Sequence, residues 1–159
     1  SIFGCDESEV FSNGGIMSLG DFDSTEVKAK EAVMGDPSKA GVTTASFLNT
    51  MVFMRVWDMI IEDGKFWRHD WVVKVDPDAV FFPERLRQRL IKYTPTNFLD
   101  NPYIYFANCD RFPSVGMDYG KLFGSLEIFS RNAIKAYAFG GKYTCETMQW
   151  HGWGEDFYM

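Results

Sequence analysis

The pattern of hydrophobic and polar positions changes period along the chain. From Thr44 onward, Leu48, Val52, Val56 and Met59 recur at helical spacing while Arg55, Asp58 and Glu62 share the opposite face. Thr44 or Ser46 supplies cap chemistry at the start and Gly64 at the end, so the spacing predicts a helix over residues 47–63. After Arg68-His69-Asp70 comes Trp71-Val72-Val73-Lys74-Val75, a mostly apolar, β-branched run with the composition of a buried strand in an α/β sheet, ending at Asp76-Pro77-Asp78. Pro83 suits the first turn of a second helix that runs to Ile91 with Leu86, Leu90 and Ile91 on one side. Residues 103–107 read as another strand. Residues 122–129 are strand-like but broken at Gly124-Ser125, and Ser130 caps a helix over 131–139 that Gly140-Gly141 terminates. Alternating strands and helices predict an α/β layer fold.

Upstream of these elements the pattern is weaker. Residues 1–12 read as a short strand, starting at Ile2-Phe3, that runs into a polar loop. Residues 13–20 carry turn chemistry, and residues 24–41 read as an exposed connection with a helical turn over 26–33. Residues 13–43 are thus expected to form a mobile loop region inside a single domain spanning 1–159. The start at Ser1 without a Met, and the stop at Met159 directly after an informative segment, give the expectation of a fragment cut from a longer chain.

Charge narrows the partners. Sixteen basic residues against 22 acidic ones give a net charge of -6, with no Lys/Arg-rich run to track a phosphate backbone, which argues against a nucleic-acid partner. No apolar stretch approaches the roughly 18 residues of a membrane-spanning helix, so no span is expected in this segment. Cys5, Cys109 and Cys145 are widely spaced without a CxxC, which suits neither a zinc cluster nor a dense disulfide scaffold and leaves one bridge with a free thiol open.

The chemistry-bearing positions fall in two places. Asp76 and Asp78 sit where the apolar strand emerges into a loop, and ligands bind at the carboxyl ends of strands in open α/β sheets. Their two-residue spacing in an extended segment points both carboxylates to one side, and two anions held so close repel unless a cation or proton lies between them. A hard divalent ion is the natural neutraliser, completing its shell with substrate phosphates and water. Asp-Pro-Asp is also ordinary turn composition that could cap the following helix. An EF-hand loop is excluded because Phe81 stands where its glycine is required. A hydrophobic strand followed by Asp-x-Asp-x-Val also resembles the nucleophile loop of haloacid-dehalogenase phosphatases, which needs a downstream Lys and a further acidic pair. The second place is Trp150-His151-Gly152-Trp153-Gly154-Glu155-Asp156. Glycines there permit close backbone approach, indoles stack on sugar faces, and a neighbouring carboxylate can take a proton from a hydroxyl. The bland alternative is a buried Trp cluster with Glu155 and Asp156 in a first helical turn.

Three segments in one order, Val73-Lys74-Val75-Asp76-Pro77-Asp78, then residues 122–131 around Gly124-Ser125, then Gly152-Trp153-Gly154-Glu155-Asp156, resemble GT-A-fold glycosyltransferases. The first is similar to their DxD motif. The others resemble segments of β-1,4- and β-1,3-galactosyltransferases and fringe-like enzymes, with Gly124-Ser125 in place of a glycine pair. The resemblance covers residues 44–159. It implies a GT-A-like, Rossmann-like mixed sheet flanked by helices and lacking its N-terminal, uracil-binding strand. It also implies a metal-dependent, inverting transfer of a hexose from a nucleotide-diphosphate sugar, a UDP-sugar above all, to a glycan or glycoprotein hydroxyl. Carried over by position, Asp78 binds Mn²⁺ or Mg²⁺, and Asp76 contacts the ribose or the ion through water. Lys74 and Gly124 belong to the donor site, and His151 is the residue available to complete the metal shell. Asp156 becomes the base, with Glu155 orienting the acceptor or sharing that role; Trp153, with Trp150 and Gly152, forms the sugar-facing wall. A secretory-pathway or Golgi lumen, with a membrane anchor in the full-length chain, follows from the same resemblance. The alternatives are the phosphatase and a non-catalytic carbohydrate-binding relic.

Overall fold

The computed structural model describes residues 1–108, 122, 124–148 and 152–155. In chain order its elements are β1 (Phe11–Ser12), β2 (Thr25–Glu26), β3 (Val33–Met34), β4 (Phe47–Leu48), α1 (Thr50–Asp63), β5 (Trp71–Val75), α2 (Pro83–Leu90), β6 (Leu126–Ser130), α3 (Arg131–Ala136) and α4 (Lys142–Glu146). The chain is α/β. Among the described residues the strands form two-stranded sheets: β1 with β2 in parallel, β3 with β4 and β5 with β6 antiparallel.

β5 and α2 fall where the periodicity puts them, and α1 ends as its glycine requires. Gly64 takes φ 69° and donates its N–H to Ile60, the left-handed stop that a side chain would oppose. The start of α1 is later than the spacing predicts. Residues 47 and 48 pair with Met34 and Val33, and the Thr44 and Ser46 hydroxyls bond each other at 2.6 Å instead of capping a helix. Three further expectations are corrected. Ile2–Gly4 is a 3₁₀ turn rather than a strand, with the Ser1 hydroxyl accepting from Phe3 N–H. Residues 26–33 form no helical turn: at one end Glu26 and Val27 pair with the Phe11–Ser12 strand, Val27 N–H donating to the Ser12 carbonyl, and at the other Val33 pairs with Leu48. Gly140 and Gly141 do not terminate a helix either: both lie within a π-helical turn (Tyr137–Gly141) that leads straight into α4, and neither adopts the positive φ by which glycine stops one. Residues 103–107 make a bridge, Tyr105 to Phe129, with Phe106 N–H donating to Ile128 and Ser130 N–H to Ile104, rather than a full strand.

The core lies between α1 and the β5–β6 pair. Trp57 packs edge-on against Phe129, centroids 5.5 Å apart, and Phe66, Leu122 and Ile134 close around them. Burying each such side chain stabilises the fold by roughly 1.5–3 kcal/mol. Ser130 fixes the β6–α3 junction: its hydroxyl accepts from Ala133 N–H at 3.1 Å, the predicted cap, and from Ile104 N–H at 3.0 Å. Strand β5 is thereby clamped, with its carboxyl end, where Asp76 begins a turn, projecting beyond the core.

Candidate functional site

The antiparallel register sets Lys74 of β5 opposite Glu127 of β6, with Val72 opposite Phe129 on the same face. That face packs against α1. Lysine and glutamate inside otherwise apolar strands are therefore driven under cover together, and burial of a charge demands a partner. Glu127 is fully buried, and its Oε1 lies 3.1 Å from Lys74 Nζ. Two more carboxylates converge on the same ammonium: Asp76 at 3.0 Å and Glu155 at 2.6 Å. The Gly124 carbonyl accepts from it at 3.3 Å, and the Phe53 ring lies 4.3 Å away by its centroid. Lys74 thus joins the strand end to the turn that carries Glu155.

That turn is held against the start of α1. Asn49, the residue before the helix, accepts from Glu155 N–H at 3.0 Å through Oδ1, so its side chain serves the tertiary contact rather than the helix cap. Thr50 donates to the Trp153 carbonyl at 3.0 Å, and Thr43 N–H to the Gly152 carbonyl at 2.9 Å. Gly152 abuts the Gly41 carbonyl and Val42 Cα, leaving no space for a side chain. Gly124 is constrained likewise: a Cβ there would stand 2.9 Å from Asp76 Oδ2 and 3.3 Å from Lys74 Nζ. Its close approach is to the acidic cluster itself.

The electrostatics follow from burial. Burial pushes the Glu155 carboxyl well above the ordinary range, and neighbouring Glu127 adds to the rise while Lys74 opposes it. Glu127 is also raised, by burial first, with Lys74 pulling it back. For Lys74 burial alone would lower the pKa, but the charges of Glu155 and Glu127 reverse this and raise it, so the ammonium stays protonated. Glu127 Oε2 and Glu155 Oε1 are buried without a conventional donor.

Asp78 differs from all of these. It is exposed, and among the described residues no ion pair or side-chain hydrogen bond engages it. Asp76 and Asp78 do not cap α2, whose N-cap is Phe82 with no side-chain bond. Phe53, Lys74, Asp76, Asp78, Gly124 and Glu155 all line one cleft of about 2680 Å³. Trp153 is half-buried beside it in sequence; Trp150, His151 and Asp156 lie outside the described residues, as does Cys109. Cys5 and Cys145 are free thiols whose pKa values burial raises.

Sequence reasoning picked out Lys74, Asp76, Asp78, Gly124 and Glu155; the structure brings Lys74, Asp76, Gly124 and Glu155 into contact and leaves Asp78 exposed apart from them. It missed Glu127, Asn49 and Phe53. The one available signal for Glu127 was the lone acid in Leu126-Glu127-Ile128-Phe129 matching the lone base in Val73-Lys74-Val75. Among the described residues no three His, Cys, Asp or Glu side chains are arranged to hold a metal, since an ammonium already fills the centre of the acidic trio. A divalent ion that uses one or two carboxylates and takes its other ligands from phosphate and water does fit the donor set at the strand end, with Asp78 fully available and Asp76 shared with Lys74. No family model matches this chain, and no curated protein or solved structure matches it at a significant level.

Proposed function

We propose that this chain is a metal-dependent glycosyltransferase domain with a GT-A-like sheet containing β5 and β6. It would transfer a hexose from a nucleotide-diphosphate sugar to a glycan or glycoprotein hydroxyl with inversion. The observation that carries the reading is the convergence of Asp76, Gly124 and Glu155, from the three separate segments of the family resemblance, on the Lys74 ammonium, with Asp78 exposed two residues beyond Asp76. In this reading Asp78, with Asp76 beside it, holds Mn²⁺ or Mg²⁺, and His151 is the candidate further ligand. A bound divalent ion supplies charge stabilisation for the departing nucleotide diphosphate.

The chain's own residues do the rest. Lys74 keeps Asp76 from recoiling from Asp78. Asp156 takes the proton of the acceptor hydroxyl as it attacks the anomeric carbon, a transfer that requires the carboxylate within hydrogen-bond reach of the hydroxyl. Glu155, bonded to Lys74 through its carboxyl and to Asn49 through its backbone N–H, orients that segment. Trp153, Trp150 and Gly152 shape the sugar-facing wall. The luminal, secretory setting belongs to this same reading.

Calorimetry with UDP and Mn²⁺ tests it. The wild type is expected to bind UDP only with the metal, Asp78→Ala to lose the metal dependence, and Asp156→Asn to keep donor binding while losing sugar transfer. Normal transfer by Asp156→Asn removes the base assignment. Glycan binding that needs no metal and survives Asp78→Ala favours the non-catalytic alternative, and phosphomonoester hydrolysis abolished by Asp76→Asn favours the phosphatase.

A further inference from the structure

We infer that Glu127 is a positioning residue that acts through Lys74 to present the Asp76 carboxylate at the cleft, an inference that rests on the donor-site reading above. Glu127 does not itself line the cleft: it is fully buried, behind Lys74 as seen from the strand end. Its place is set by backbone pairing rather than by side-chain attraction, because residues 71–75 and 126–130 lock in register one by one. The lysine stem leaves β5 two residues before Asp76, and its ammonium could reach out to solvent or reach back. Three fixed acceptors decide between these: Glu127 at 3.1 Å, Glu155 at 2.6 Å and the Gly124 carbonyl at 3.3 Å. The Phe53 ring closes another side. With its course so defined, the ammonium meets Asp76 Oδ1 at 3.0 Å, on a residue whose backbone N–H donates to the Ser125 carbonyl at 3.4 Å.

Of the three acceptors, Glu127 alone is fixed by strand pairing: it sits mid-strand, whereas Gly124 lies in a turn and Glu155 just after one. Its second oxygen, like that of Glu155, is buried and lacks a conventional donor. A carboxylate in that position is retained against its desolvation penalty only by what it holds. What it holds is an ammonium that also meets the strand-end acid Asp76, Glu155, the Gly124 carbonyl and the Phe53 ring.

The test combines two readouts on the intact chain. In ¹⁵N-labelled protein, the Lys74 ammonium, assigned by its loss in Lys74→Arg, is expected to give a cross-peak at neutral pH, where exposed lysine ammonium protons exchange too fast to be seen. Glu127→Gln keeps the side-chain volume and should speed that exchange by about tenfold or more, the scale of one lost charge partner. Calorimetry with Mn²⁺ and UDP is then run as a double-mutant cycle. Glu127→Gln should weaken metal-dependent UDP binding by about tenfold in the parent and have no further effect in Lys74→Met, because both changes remove one linkage. Equal weakening in both backgrounds would show that Glu127 acts by packing and would overturn the inference. So would a wild type without the ammonium cross-peak, a result that needs no variant to fold. If the wild type shows the cross-peak and its Glu127 dependence but does not bind UDP with Mn²⁺, the glycosyltransferase reading fails while the hold of Glu127 on Lys74 stands.

Discussion

Two ionic hubs in this molecule have similar wiring and opposite surroundings. At Lys74 one ammonium holds three carboxylates, and two of those partners are nearly or fully buried. At Glu7 one carboxylate holds Arg68 through both oxygens, at 2.9 and 3.0 Å, and His69 at 2.8 Å, in the open. The His69 hydrogen bond, and then Arg68, hold the Glu7 carboxyl below its ordinary value. In water such contacts replace hydration of similar strength and are screened by salt. Under cover the same contacts have no substitute, so removing one member leaves charges that neither water nor protein can neutralise. Bond count says little about which hub matters; access of water decides it.

The largest effect is expected at the buried hub. Lys74→Met leaves Asp76, Glu127 and Glu155 facing one another without a cation, and should cost about 3–5 kcal/mol near neutral pH, the scale for breaking a buried pair. Chemical denaturation measures this. The loss should shrink in acid, because Glu127 and Glu155, buried without a cation, then take up protons more readily in the folded state than in the unfolded one. A pH-independent loss would mean that the lysine stem, not its charge, supports the site.

Glu155 sharpens the point with a sign of its own. Its folded pKa is raised, so the folded state binds its proton more tightly than the unfolded chain does. Its contribution is complete below the ordinary carboxyl range and is lost as pH climbs from there through the folded value. In that window the slope is up to about 1.4 kcal/mol per pH unit for one proton. Glu155→Gln, neutral throughout, should flatten that slope in a series of denaturation curves. A slope that survives the substitution assigns the proton to another group.

Gly124→Ala is next in size. Its methyl would enter contact range of Asp76 Oδ2 and Lys74 Nζ, and an overpacked site of this kind costs typically about 1–3 kcal/mol. Asp76 and Lys74 are the flexible sides of the contact, so most of the change should appear as displaced side chains in a crystal structure of the variant. An undisplaced Lys74–Asp76 pair would show that the turn, and not the cluster, gives way.

These residues also show what was legible in the chain. β5, the stop of α1 at Gly64, the Pro83 start of α2 and the Ser130 cap are local signals, written within a few residues of where they act. The strand-end acids and Glu155 could be picked out because unusual composition marked them. Glu127 could not, since its meaning depends on which residue of β5 it faces, a register fixed across more than fifty positions of intervening chain. Asn49 was hidden by its place before a helix, where capping is the expected role and the Glu155 amide is the actual partner. Gly140-Gly141 misled for the converse reason: glycine stops a helix only when the backbone turns to positive φ, and here the backbone keeps right-handed angles through a π turn into the next helix.

The exposed hub provides the smallest effect and the control for the others. Glu7→Gln removes the negative charge facing Arg68 and His69 but leaves both side chains in reach of water, where nothing is stranded. The melting temperature should fall only slightly at low ionic strength and not at all in molar salt, since screening has by then already removed the attraction. The acid limb should respond as well. Glu7 has a lowered pKa, so its stabilisation is present above the ordinary carboxyl range and fades as pH falls through the folded value, the reverse of Glu155. Melting curves of Glu7→Gln and Glu155→Gln over the same pH series should therefore diverge from the wild type at opposite ends. A Glu7→Gln loss that persists in high salt would mean that the N-terminal segment is packed against residues 65–69 by more than charge, and the contrast between the two hubs would then lie in packing rather than in access to water.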